Sequence, residues 1–234
     1  MHLGGGFGAM RFKDVFSIIG PSMVGPSSSH TAGAVRLGRV ARQLLGELPE
    51  RAEIAFYGSF ADTYQGHGTD LAVVAGILDY DTDDPRIAIS FDEASRLGVD
   101  VAIRQAHGLA GHPNTAEIRL VRGTREVLLK GASIGGGNIE VEKVNDFDVR
   151  FTGMYPSLLL FHADRKGMIA DITAILAQNN INIGHMDVDR KGRNGEALTV
   201  IESDNGFDAG IVDKLLAIPD MTHIRTIDLT GGSQ

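Results

Sequence analysis

Apolar residues fall at three- and four-residue steps at Ala34, Leu37, Val40, Ala41, Leu44 and Leu45. That spacing predicts an amphipathic helix with one buried stripe. Ser28-Ser29-His30-Thr31 precede it as a capping stretch, and Gly46 and Pro49 end it. Glu53 to Tyr57 reads as a strand running into Gly58-Ser59. Gly66-His67-Gly68-Thr69-Asp70 then leads into a second helix with Leu71, Val74 and Leu78 on one face. On this reading His67 lies at or just before a helix N-terminus. Residues 116–121, 125–130 and 139–144 alternate as strands, with Gly123-Thr124 and Gly135-Gly136-Gly137-Asn138 as turns, which predicts an antiparallel meander.

From Leu158 the pattern resets. Strands are expected over 158–162, 181–189, 197–202 and 222–228, helices over 167–178 and 208–217, and a turn at Arg193-Asn194-Gly195. The order βαββαβ is the ferredoxin-like plan. Gly153, Tyr155 and Pro156 punctuate the chain between the two patterns. The predicted class is therefore α+β, with one unit over 10–152 and a second over 156–230. The glycine-rich opening, residues 1–9, carries no pattern and Met10 stands just before the first element, so the opening is left out of the fold reading.

Composition narrows the chemistry. The 234 residues are 43% hydrophobic, enough for two small cores. A net charge of -8 opposes binding to nucleic-acid phosphates. No apolar run approaches the roughly 20 residues of a membrane span, and no basic-then-apolar leader opens the chain, so a cytoplasmic protein is expected. There is no Cys, which excludes thiol nucleophiles and thiolate-held clusters on this chain.

Ser27, Ser28, Ser29 and Thr31 gather hydroxyls and free backbone N–H groups at a helix start, a cradle for a carboxylate, although ordinary capping accounts for at least one of the serines. His67 is read either as a cap or as a general base. An imidazole titrates near neutral pH, and the positive end of a helix would favour its proton-accepting form; Gly66 and Gly68 would let a substrate approach. His30 is either a surface residue beside a cap or a second site residue. Gly131-x-Ser133-x-Gly135 imitates a nucleophile elbow but lacks the strand–turn–helix context. Asp79 to Ser90 begins like a calcium loop but has Asp84 and Ser90 where Gly and Glu are required, and is read as a solvated acidic loop. His107 and His112 lack a third ligand, so no metal site is assigned to this chain.

Gly20-Pro21-Ser22, Gly25-Pro26-Ser27-Ser28-Ser29-His30-Thr31-Ala32-Gly33, Tyr57-Gly58-Ser59 and Gly66-His67-Gly68-Thr69-Asp70 together closely resemble the beta subunit of bacterial iron–sulfur L-serine dehydratases. Asp164-Arg165-Lys166-Gly167-Met168-Ile169 and Asn182-Ile183 are similar to ACT regulatory domains. The N-terminal unit also resembles the allosteric substrate-binding domains of some phosphoglycerate dehydrogenases, which regulate without catalysing.

The first resemblance implies conversion of L-serine to pyruvate and ammonia with a cysteine-bearing alpha subunit that ligates a 4Fe–4S cluster. It implies His67 and His30 as catalytic, with Ser27, Ser28, Ser29, Thr31, Thr69, Asp70, His112 and Asn114 around the substrate. The ACT likeness implies effector contacts at Asp164, Gly167, Met168, Ile169, Asn182 and Ile183, and a homodimer through that domain. The loop from Ser133 to Asn138 is read as either an anion nest or a plain hairpin turn. A non-catalytic amino-acid-sensing subunit is the alternative function.

Overall fold

The computed structural model describes residues 23, 25, 27–108, 110–193 and 195–230. The opening residues 1–9, Met10, the Gly20-Pro21-Ser22 motif, Pro26 and Asn194 lie outside the described residues. A π-helical turn, Ser28–Ala32, leads into helix α1, Gly33–Leu45. All six predicted apolar positions of α1 are buried, and Gly46 ends it with φ +85°. Strand β1, Arg51–Tyr57, is followed by helices α2, Gly58–His67, and α3, Thr69–Ile77. A 3-10 turn, Pro85–Ile89, helix α4, Ser90–Arg96, and strand β2, Asp100–Gln105, complete the crossover.

The meander extends the sheet with β3, Thr115–Arg122, β4, Arg125–Gly135, β5, Asn138–Val144, and β6, Phe147–Phe151. The six strands run in the order β2-β1-β3-β4-β5-β6, with β1 and β2 parallel and the other pairs antiparallel. Ala52, Ile54, Phe56, Ile118, Leu120 and Leu129 point to the helical side and are buried with α1 and α3. The opposite face is charged. A cavity of about 590 Å³ there is lined by Glu53, Arg104, Glu117, Arg119 and Glu126, which pair with one another, so this large hollow has little uncompensated charge to offer a ligand.

The second unit comprises β7, Ser157–Ala163, α5, Met168–Gln178, β8, Ile183–Arg190, β9, Glu196–Ser203, α6, Ala209–Leu216, and β10, Met221–Ile227. Its strand order, β10-β7-β9-β8 and all antiparallel, is that of the ferredoxin-like plan. Leu158, Leu160 and Ile201 pack beneath α5 and α6, while Leu159, Phe161, Leu198 and Val200 join the core of the first unit. Because β7 and β9 are covered on both faces, they read as continuous apolar runs rather than alternating ones.

The connection between the two sheets is tightly bonded. Buried Glu202 accepts from the Thr152 N–H at 2.9 Å, the Thr152 hydroxyl at 2.9 Å and the Gly153 N–H at 3.1 Å. Asp187 and Asp189 of β8 accept from the outer-edge N–H groups of Arg150 and Asp148 on β6, so side chains replace a missing strand partner.

Two expectations need correcting. Residues 58–67 form a helix, although two glycines and mixed polar residues conceal its period, so His67 closes α2 as well as preceding α3. The positive-end argument for His67 therefore fails as stated: the carbonyls of α2 converge there, and their dipole opposes that of α3. The acidic loop after α3 is not simply solvated. Asp79 and Asp81 each lie 3.3 Å from the guanidinium of Arg39, whose side chain is 2% exposed. The glycines at 135–137 form the β4–β5 hairpin turn, with the Gly137 carbonyl accepting from Arg36.

Gly38 and Gly76 meet where α1 crosses α3. A Cβ on Gly76 would overlap the Val35 carbonyl oxygen, and one on Gly38 would overlap that of Val73. At Gly66 a Cβ would meet nothing within 4 Å. Gly76→Ala should therefore lower stability by about 1–3 kcal/mol or more through forced separation of the helices. Gly66→Ala should be neutral or stabilising by about 0.5–1 kcal/mol. Urea unfolding of both variants checks this, and equal midpoints would refute the crossing argument.

Candidate active site

The site forms where the π-helical turn before α1 meets the α2–α3 corner. Ser27, in extended conformation, caps the turn: its Oγ accepts from the His30 N–H at 3.3 Å. The His30 ring is held on both sides. Nδ1 lies 3.1 Å from Ser29 Oγ and 3.4 Å from Ser27 Oγ, and Nε2 lies 3.4 Å from Ser59 Oγ. Its edge packs against Phe60, with centroids 5.2 Å apart.

His67 stands beside it, the two imidazole centroids 4.8 Å apart and tilted by 43°. Gly68, at φ +66°, makes the left-handed corner that turns the chain from α2 into α3 and sets that spacing. The two rings differ in freedom. His30 is half-buried and fully engaged, whereas His67 is exposed at a hollow of about 310 Å³ shared with Gly25, Thr31, Leu71, Ile87 and Ala88.

Behind His30, the β2–β3 loop packs against the start of α2. His112 Nδ1 accepts from the Asn114 N–H at 3.1 Å, and the Pro113 carbonyl accepts from the Phe60 N–H at 3.3 Å. Gly58 packs so closely on Pro113 that a Cβ there would come within 2.6 Å of its carbonyl oxygen. The Asn114 carbonyl in turn accepts from the Ser133 N–H, and the Ser133 hydroxyl sits directly over Gly33, at the start of α1.

Buried polar atoms in folded chains are nearly always paired. Among the described residues five buried side-chain polar atoms have no partner, and four of them belong to Thr31, Thr69, Asn114 and Ser133. Thr69 and Ser133 are 0% exposed and Thr31 is 2% exposed. All four surround the start of α1 or the corner that carries His67. Ser133, read in the sequence only as part of the 133–138 loop and of the false nucleophile elbow, thus lies against the start of α1. That placement is visible only once β4 is laid against α1.

The other expected residues divide. Ser28 opens the π-helical turn, and its carbonyl accepts from the Gly33 N–H. Asp70 folds back to accept from the Leu71 N–H at 2.8 Å, and burial raises its carboxyl above the usual range. In the second unit, Gly167, at φ +87°, precedes α5; Met168 is buried, and Ile169 and Ile183 pack partly against the same core. Asp164 pairs with Arg190 at 3.2 Å, and Asn182 donates to Asp204 at 3.3 Å rather than to the 164–169 turn. Within one chain, then, the turn and Asn182 are not brought together by a direct bond.

With the geometry in place, comparison with known proteins is informative. The serine dehydratase beta chain family profile matches residues 12–95, and the ACT domain profile matches residues 157–220. A probable L-serine dehydratase beta chain from Bacillus subtilis is 47% identical over 93% of this chain and 99% of its own length. The chain belongs to the L-serine dehydratase beta-chain family. An L-serine dehydratase beta chain from Peptoniphilus asaccharolyticus is 32% identical over 94% of this chain and 100% of its own. D-3-phosphoglycerate dehydrogenase of Bacillus subtilis is 24% identical over 84% of this chain but 37% of its own length. The chain therefore joins a first unit that carries the beta-chain profile to an ACT domain, and no helix among the described residues is long and apolar enough to cross a membrane.

Desolvation, followed by the nearby charge of His67, lowers the His30 pKa from its ordinary value of 6.5. Both effects favour the neutral form of the His30 ring. Because the folded value lies below the unfolded one, its contribution to stability is present above about pH 6.5 and is lost as pH falls through the lowered value. An NMR titration should place the His30 midpoint below 6.5, and His67→Ala should move it upward by removing the charge contribution. An unchanged midpoint in the variant would show that the rings do not interact.

Proposed function

We propose that this chain is the subunit of an L-serine dehydratase that cradles the substrate and supplies the base, acting with a cysteine-bearing alpha subunit that holds a 4Fe–4S cluster. The observation that carries the reading is the exposed His67 imidazole beside His30, at a hollow it shares with Thr31, whose buried hydroxyl has no partner among the described residues. This chain's own residues do not fit a cluster. It has no Cys, and among the described residues no three His, Asp or Glu side chains converge as a ligand group.

The roles follow from the differing freedom of the side chains. Ser27, Ser28 and Ser29, with Thr31, border the start of the helix, where N–H groups and hydroxyls suit the carboxylate of serine. Thr69, Asn114 and Ser133 hold buried polar atoms behind the start of α1 and the corner that carries His67. His67 is the ring free to reach the substrate, so it takes the Cα proton as general base. His30, locked by three serines and by Phe60, acts by positioning its neighbour and by remaining uncharged beside it. Loss of the C3 hydroxyl belongs to the partner's side of the site; the resulting aminoacrylate breaks down in water to pyruvate and ammonia. Asp70 and His112 set the corner and the rear loop.

A chain that presents only half of such a site should be inert alone. The purified protein should form no pyruvate from L-serine, and anaerobic mixing with the cluster-bearing partner should restore turnover. In that complex His67→Ala should lower kcat by about 10²-fold or more, in line with loss of a general base. Normal turnover with only altered activation by serine would instead favour a purely sensory subunit.

In the ACT domain we place effector recognition at Asp164, Gly167, Met168 and Ile169 of one copy, facing Asn182 and Ile183 of a second. Pairing through β8 supports this arrangement, because β8 is an edge strand with Met186 and Val188 exposed. Calorimetric titration of the chain with L-serine should lose an ACT-domain binding event in Asn182→Ala; retention of that event would remove Asn182 from the contact set.

A further inference from the structure

Between the two units lies a cleft of about 380 Å³, bounded by the C-terminal end of α1, the β3–β4 turn and strands β7 and β10. A smaller hollow of about 240 Å³ adjoins it and shares Asn145, Phe161 and His223. Interfaces between domains are common places for small-molecule sites, and this cleft has the usual make-up of an apolar floor with a few polar groups. Leu44, Val127 and Val144 form the floor, and Phe161 with His223 forms a flat wall, their rings stacked 4.1 Å apart at 10°.

The polar groups that face the larger cleft are mostly donors, whereas Asp146, with Lys191, and Glu196 line the adjoining hollow. Arg225 donates from Nε to the Leu44 carbonyl at 2.9 Å and from Nη1 to that of Ile224 at 3.1 Å; among the described residues it has no carboxylate partner. Arg125 enters from the first unit and is paired with Glu47 on its outer side. Asn145 uses its Oδ1 to accept from the Leu128 N–H, which leaves its amide N–H₂ group for the cleft. Glu126, the acid on the rim, is engaged by Arg119. Burial and then the nearby Arg125 depress the Arg225 pKa, and burial and then Arg225 lower that of His223 against the opposing charge of Glu196.

We infer that this cleft is a binding site for a small planar carboxylate of the 2-oxo acid class, its carboxylate between Arg225, Arg125 and Asn145 and its flat body against the His223–Phe161 stack. Two arginines from different units would share one anion, which couples ligand binding to the docking of the ACT domain on the first unit. The site is separate from the His30–His67 pair and from the 164–169 turn, and it does not depend on the function proposed above.

The test uses the full chain and pyruvate as the smallest 2-oxo acid. His223 ring resonances, assigned with His223→Gln, should shift saturably on titration with pyruvate. Arg225→Gln should weaken that binding at least about tenfold. Arg125→Gln should weaken it severalfold and, because the Arg125 side chain is 56% exposed, should fold normally even if Arg225→Gln does not. No saturable shift in the wild type, or equal affinity in the Arg125 variant, would overturn the site. An equal response to inorganic phosphate would overturn the carboxylate assignment.

Discussion

Gly38 and Gly76 let α1 and α3 approach until backbone meets backbone, and the relative position of every group in the candidate active site follows from that contact. His30 lies on the turn that enters α1, and His67 on the corner that enters α3. Side chains at the crossing would hold the two helices apart, and the histidines would separate with them. The same contact buries the apolar stripe of α1 and nearly all of α3, so the hydrophobic core and the site geometry share one cause. Arg39, buried beneath the crossing and paired with Asp79 and Asp81, fixes where α3 ends.

On that frame the two imidazoles have become unlike. One is held by Ser27, Ser29 and Ser59 and kept neutral by partial burial; the other faces the open hollow. Among the described residues, Thr31, Thr69, Asn114 and Ser133 hold buried polar atoms without partners near the start of α1 and the α2–α3 corner, an arrangement that costs stability unless a further polar group completes it. A half-site of this kind fits a beta chain whose sequence has no cysteine. The second unit is firmly joined to the first, through Glu202 at the connection and through Asp187 and Asp189 along the edge of β6, so a ligand held by the ACT domain has a rigid route to the first unit.

Much of this was legible in the residues. The α1 stripe, the meander and the βαββαβ order all stand, because each rests on a period that tertiary packing reinforces. Helix α2 was not legible: Gly58, Gly66 and the polar residues between them carry no clear helical period, and its contacts with β1, α3 and the residue-113 loop hold it. Missing α2 misplaced the helix end acting on His67. Strands β2 and β6 escaped for a related reason: they are edge strands, and their signal is weak without their neighbours. The motif residues His30 and His67 did come together, whereas the closeness of Ser133 to Gly33 appears only once β4 is set against α1. Asn182 and the 164–169 turn are separated within one chain, a relation that no spacing along the sequence reveals.

The account is tested most directly by a structure of the assembled two-subunit enzyme with L-serine or an unreactive analogue bound. It predicts the amino acid between the two chains, its carboxylate at the Ser27–Thr31 turn and a ring nitrogen of His67 within about 3.5 Å of the α-carbon. A ligand seated elsewhere, or a His67 ring turned out of reach of that carbon, would contradict it.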